Sequence, residues 1–335
     1  MPDYSSLNPA VLKPGLTTPD GADLKPGLVT SAYTGGTPTA ANQIKPSLRN
    51  ADGSLKAGLV SGGALKPSLR TRASSFAFDN LSLAPFVGLS AVRRLTQAWT
   101  GPLYRVRRDN DNVEMDIGYD SEDFQDEAAA LDFVGPNNGF VAKIYDQFGN
   151  GGDLAQTNPS AQMRIIVSGS MLKVNGLPAI QGTQIWHMTS GPIFSYTKLS
   201  YCGVLRFDLD AGAAFQLGTI NQDGSLLRAT SLIARGVSGV GNDATIANSL
   251  TSLVQCSATY SAAARKIWQN GVAGTQSSQA ITFNETNNAM VYNGLSSTVY
   301  RMQGYRCEDV WWVDEISDSD RQTIEADQMA LYGIT

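Results

Sequence analysis

The chain has 335 residues, enough for one large domain with an appendage or for two modest domains. Only 16% of the residues are charged, the formal net charge is −5, and Gly, Ser, Thr, Asn and Ala are abundant. That composition is common in all-β extracellular and viral proteins. No apolar run reaches the roughly 18 residues that cross a bilayer, so no membrane contact is expected. The opening MPDYSSLNPA lacks the basic-then-apolar order of a signal peptide.

The first 75 residues differ from the rest. A unit of aliphatic residue, lysine, proline, small residue and leucine recurs at Leu12, Lys13, Pro14 and Leu16, and again at Leu24, Lys25, Pro26 and Leu28. It returns at Ile44, Lys45, Pro46 and Leu48, at Leu55, Lys56 and Leu59 (with alanine for proline), and at Leu65, Lys66, Pro67 and Leu69. Proline fixes φ, removes a donor and pushes the preceding lysine towards an extended conformation. Each unit is therefore a short rigid peg, and the uneven intervals exclude a solenoid. Five pegs on a Gly/Ser/Thr string bury no core of their own. Residues 1–75 hold eight basic and four acidic residues, a net of +4, which leaves 17 basic and 26 acidic residues, a net of −9, for 76–335. Two readings stand: a basic linker, or a docking arm whose pegs enter repeated slots on a multi-copy partner and gain avidity.

From about Ser74 the text is globular. In PFVGLSAVRRLTQAW, Phe86, Leu89, Val92, Leu95 and Trp99 recur at helical spacing, which predicts a helix over 85–99 with Arg93 and Arg94 facing away from the stripe. Short β-like runs then alternate with turns. Asn175-Gly176 and Asn270-Gly271 are two-residue hairpin signals, and Asp223-Gly224 and Asn293-Gly294 add turns. Many short strands at this spacing predict a β-sandwich. A last helix is expected, capped by Ser317 or Asp318 and stopped by Gly333.

Cys202, Cys256 and Cys307 match no metal spacing and read as reduced, buried thiols, with one disulfide and a spare thiol as the alternative. The single histidine, His187, builds no triad. No cofactor is expected. GVSGVGND at 236–243 lacks the strand-turn-helix context of a phosphate loop, and the acidic globular part argues against nucleic acid. In IYDQFGNGGDLAQ, the residues Asp146, Asn150 and Asp153 among glycines read as a sharp turn held by side-chain-to-backbone bonds, with a calcium site or a sugar contact as alternatives. Trp311 and Trp312 lie in a strand-like run, so at least one should face the core.

The strings WTGPLYRVRRDND (99–111), DIGYD (116–120), FVAKIYDQFGNGGDLAQ (140–156) and NGLPAI (175–180) resemble the N-terminal part of the α-L-arabinofuranosidase B catalytic domain. RKIWQNGVAG and YRCEDVWWVDEISDSDRQTIEADQMALYG resemble the closing hairpin, last strand and helix of laminin-G-like concanavalin A modules. The resemblance covers roughly 85–335. It implies an all-β, concanavalin A-like two-sheet sandwich over 76–335, with a short helix before it and one after it, behind an extended arm over 1–75. It also implies a retaining glycosidase site of two carboxylates. The nearest text puts Asn221 (in FQLGTIN) at the nucleophile and Leu295 (after Asn293-Gly294) at the acid, and neither ionises, so no activity is expected. Asp208, Asp210, Asp243 and Glu285 match no motif and read as solvated. Because this combination is common in tailed-bacteriophage virion proteins, the resemblance implies a virion structural protein: a capsid decoration, spike or fibre head. Its expected partners are other virion proteins, major capsid or tail subunits, reached through the arm, and a host surface glycan. A homo-oligomer, with a trimer as one form, is expected. A tail adhesin and an active arabinofuranosidase are the alternatives.

Overall fold

This computed structural model describes residues 76–182, 196–208, 243–247, 251–261, 263–278 and 302–335, together with the backbone of several short strands. The chain divides into two compact units, Met1–Ser74 with Ser121–Phe124, and Ser75–Asp120 with Gln125–Thr335. Of the repeat arm, only a two-residue hairpin is described, Val60–Ser61 against Ala64–Leu65, in which Leu65 pairs with Val60. The remaining repeat residues lie outside the described residues.

The second unit is a two-sheet antiparallel sandwich with two helices. Its elements are β1 (Val87–Ser90), β2 (Tyr104–Arg108), β3 (Glu114–Ile117), α1 (Glu127–Val134), β4 (Gly139–Ile144), β5 (Met163–Val167), β6 (Ile180–Gly182), β7 (Leu199–Phe207), β8 (Val254–Tyr260), β9 (Arg265–Gln269), β10 (Gly304–Trp312) and α2 (Asp318–Tyr332). One sheet runs β3-β2-β4-β5-β6-β10-β7-β8-β9. Strand β10 organises it. Its first half bonds β6, its second half bonds β1, and its other edge bonds β7 throughout. The second sheet is traced by Leu154–Ala155, Met188–Thr189, Met290–Tyr292, Gly212–Leu217, Ser225–Arg228, Leu232–Arg235 and Asp243–Ile246, and β4 reaches it through Lys143 and Ile144. Between the sheets lies one apolar core that includes Tyr104, Val106, Ile144, Ile180, Leu205, Ala234, Ala244 and Trp311.

The turns follow the local chemistry. Asn175-Gly176 and Asn270-Gly271 both take positive φ, as a two-residue hairpin of the right twist requires. Ser317 caps α2 by accepting from Asp320 N at 3.0 Å, and Gly333 ends it in the left-handed conformation. Asp126 caps α1, a helix the sequence analysis did not anticipate. All three cysteines are buried free thiols, and both tryptophans of β10 are buried.

One expectation is overturned. Residues 85–99 contain strand β1 and no helix. All four residues of β1 are buried, and it pairs with Glu308–Trp311 of β10. Beyond it the Ser90 hydroxyl accepts from the N–H groups of Val92 and Arg93, turning the chain away. The 3–4-residue spacing arises from a strand followed by a folded-back loop, both covered by the core. Arg93, expected on an outward face, is 2% exposed. Among the described residues, the helical turn that precedes the sandwich is the one at Ala77–Asn80.

Candidate functional site

The Asp146 loop is built from the inside. The Asp146 carboxylate is 1% exposed. One oxygen accepts from Gly88 N (3.0 Å) and Phe148 N (3.1 Å), the other from Asn150 N (2.9 Å) and Gly152 N (3.1 Å). Burial pushes this carboxyl upward from its ordinary range, and the four N–H donors oppose the shift. Asn150 donates to Phe86 O at 2.8 Å. Asp153 accepts from Asp146 N at 2.8 Å and pairs with Lys143 at 2.7 Å. Gln147, also buried, bonds Leu95 N and Arg93 O, so the whole loop is clamped to β1 and the chain that follows it. Of the alternatives for Asp146, Asn150 and Asp153, this is the geometry of the turn. A calcium ion would need carboxylate oxygens that here already receive N–H or ammonium donors. Among the described residues, no group of three His, Cys, Asp or Glu side chains is placed to hold a metal.

The densest polar chemistry lies on β10, where a bulge sets the faces. The register against β7 slips between Val204, opposite Glu308, and Leu205, opposite Arg306. Cys307 is the extra residue, so Arg306 and Asp309 share the inner face. There Asp309 is bound by the Arg306 guanidinium and accepts from the Tyr201 hydroxyl at 2.5 Å, with Arg306 and Asp309 fully buried. Tyr201 packs on Trp311 with ring centroids 5.4 Å apart. Burial, then the Asp309 charge, pushes the Tyr201 phenol far up. Gly203 leaves the room this cluster needs, since a Cβ there would stand 2.1 Å from the Tyr201 hydroxyl. On the outer face Glu308, also fully buried, takes a two-pronged bond from Arg93 (2.7 and 2.9 Å). From α2 it takes further bonds from Gln328 (3.1 Å) and Tyr332 (3.2 Å). Asp327 of α2 completes the Arg93 shell at 2.5 Å. Burial opposes the Arg93 charge, but Glu308 and Asp327 outweigh it and hold the guanidinium above its ordinary value.

A retaining glycosidase needs two carboxyl groups about 5 Å apart, one ionised for attack and one protonated for the leaving group. The described acid pairs that share a cation do not have that form: Glu308 and Asp327 meet on Arg93, Asp318 and Glu325 on Arg321, and Glu114 and Asp116 on Arg105. In each pair a single guanidinium lies within ion-pairing distance of both carboxylates, so the one cation engages both acids. Asn221 and Leu295, the positions the resemblance aligns with the catalytic acids, lie outside the described residues, as do His187 and Asp210. Asp208 pairs with Arg206 at 2.8 Å, Asp243 is half-buried in a strand, and Glu285 opens the strand Glu285–Asn288. Sequence reasoning missed Arg93, Glu308, Arg306 and Asp309. The available signal was the run RCEDVWW, which places two consecutive acids inside a strand too apolar to be solvated.

The fold defines the class, an antiparallel two-sheet β-sandwich of the jelly-roll, concanavalin-like kind. Comparison agrees with that fold. The family model described as "Alpha-L-arabinofuranosidase B, catalytic" matches residues 83–196, the segment that supplies β1 to β6. A GH54 α-L-arabinofuranosidase soaked with a cyclic sulfate inhibitor superposes with a TM-score of 0.62 at 15% identity, over 76% of this chain and 64% of that one. An arabinofuranosidase complexed with arabinofuranosyl-α-1,2-xylobiose gives 0.60 at 15% identity, with the same coverage of 76% and 64%. The chain thus spans less than two thirds of the length of these relatives, and the likeness is one of fold. No curated protein matches the sequence.

Proposed function

We propose that the protein is a structural component of a bacteriophage particle, anchored by its Lys-Pro repeat arm and displaying a lectin-like sandwich that does not cleave glycans. The observation that carries the reading is the division of chemistry along the chain. A basic arm of five Leu/Ile pegs precedes an acidic sandwich. In that sandwich the described carboxylates that share a cation are locked on arginines, and the resemblance aligns Asn221 and Leu295 with the catalytic positions. Each buried leucine peg contributes about 1.5–3 kcal/mol before ordering costs. Fixing each arm residue opposes this by about 1–2 kcal/mol, so several pegs must act together to hold the protein on its scaffold.

Two measurements test this. Charge reversal of Lys13, Lys25, Lys45, Lys56 and Lys66 to Glu should cut retention on purified particles at least tenfold, and unchanged retention would overturn the anchoring role. Incubation with 4-nitrophenyl α-L-arabinofuranoside should release no nitrophenol above the buffer rate, and turnover abolished by an active-site inhibitor would make the protein a glycosidase.

A further inference from the structure

The outer face of the first sheet is split in two. Helix α2 and the Ala77–Asn80 turn cover the part bearing Cys202, Val310 and Trp312. Beside it runs one unbroken cross-strand row, one residue from each of six strands. Arg107 of β2 stands opposite Phe140 of β4, which stands opposite Arg164 of β5, then Gln181 of β6, Tyr305 of β10 and Arg206 of β7. Directly opposed residues of an antiparallel sheet share a face. At about 4.8 Å per strand the row is about 24 Å long. Its members touch along its length. The Arg107 guanidinium lies 4.9 Å from the Phe140 ring centroid and Arg206 4.3 Å from that of Tyr305, while Gln181 donates to the Tyr305 hydroxyl at 2.9 Å.

The row concentrates positive charge in a domain whose net charge is −9 over residues 76–335. Arg107 is buried, and among the described residues its bonds go to neutral acceptors, Gln162 Oε1 at 2.6 Å, Asn112 Oδ1 at 2.7 Å and Pro159 O at 3.4 Å, so it serves the row as a fixed positive charge at one end and not as a ligand contact. Burial without a bonded carboxylate lowers its pKa. Among the described residues, Arg206 pairs at the far end with Asp208 at 2.8 Å. All six strands have neighbours on both sides, so the row offers side chains and no free backbone edge to which a peptide strand could add. Guanidinium groups bind carboxylates in two-pronged fashion, and flat rings interleaved with them stack on sugar faces.

We propose that this row is a binding platform for an extended, carboxylate-bearing polysaccharide, a polyuronate lying across the strands. The inference rests on the lectin-like reading above and adds ligand class and place. The test titrates the full-length protein with oligogalacturonate, its methyl-esterified form and poly-glutamate of equal length. Oligogalacturonate should bind with an affinity that falls as salt rises, and the neutral ester should bind at least tenfold more weakly. An Arg164→Gln/Arg206→Gln double variant should lose at least tenfold, while Arg108→Gln, outside the row, should not. Equal binding of acid and ester would overturn the platform and leave a neutral-sugar lectin standing. Equal or better binding of poly-glutamate would replace the polysaccharide with an acidic protein. Binding of no sugar at all would remove the platform and the lectin-like reading together. The esterification contrast uses the unmodified chain, so it decides the matter even if the double variant fails to fold.

Discussion

Glu308 and Asp309 are neighbours on one strand, both fully buried, each held by an arginine, yet they are held in opposite ways. The partner of Glu308 lies 215 residues away in sequence, and α2 adds three more side chains to the same knot. The partner of Asp309 lies three residues away on the same strand, brought round by the bulge at Cys307. The outer pair ties distant chain segments together and seats the helix. The inner pair fixes the register of β10 on β7. A buried charge is tolerated in both places because every ion is met, and removing one partner exposes the cost.

The comparison predicts its own breaking points. The largest effect should come from Asp309→Ala, which takes its carboxylate away from the buried Arg306 guanidinium and should cost about 3–5 kcal/mol in urea unfolding. An Arg306→Met/Asp309→Leu double variant should recover most of that loss, and failure to recover would mean that the pair does more than neutralise itself. Arg93→Ala should cost less, about 2–3 kcal/mol, because Gln328 and Tyr332 still donate to Glu308. Ser317→Ala should cost about 1 kcal/mol by uncapping α2. Its signature is directional: hydrogen exchange should quicken in α2, while the amides of β7 beside Asp309 keep their protection.

The smallest effect belongs to an exposed counterpart, Arg105 on Asp116 at 2.7 Å, both about 40% exposed. The hydrogen bond from Arg105 holds the Asp116 carboxyl below its ordinary value. Its stabilisation is therefore present above the unfolded pKa of about 3.9 and is lost as pH falls through the lower folded value. Arg105→Gln should flatten acid unfolding in that window and change stability at pH 7 by less than about 1 kcal/mol.

What could be read in advance follows the range of the forces involved. Turn chemistry is local, so Asn175-Gly176, Asn270-Gly271 and the Ser317 cap were legible. The sandwich was legible as well, because alternating runs between such turns leave few other architectures. The stretch 85–99 was misread because helical spacing and a strand with a folded-back loop both bury residues every third or fourth position. Only the pairing with Glu308–Trp311, more than 200 residues on, decides between them. The β10 cluster was illegible for a related reason. Whether an acid in a strand is solvated or paired depends on a bulge and on a helix that arrive from elsewhere in the chain. The outer-face row exists only once six strands are in register.

The position of β10 in chain order has a consequence during synthesis. It follows β1, β6 and β7, and it bonds all three. On the ribosome those strands emerge with unfilled edges and wait for the segment that closes them. Closure therefore comes late and all at once. Until residue 312 clears the exit tunnel, the growing chain carries open β edges of the kind that chaperones shield and that crowded copies join by mistake.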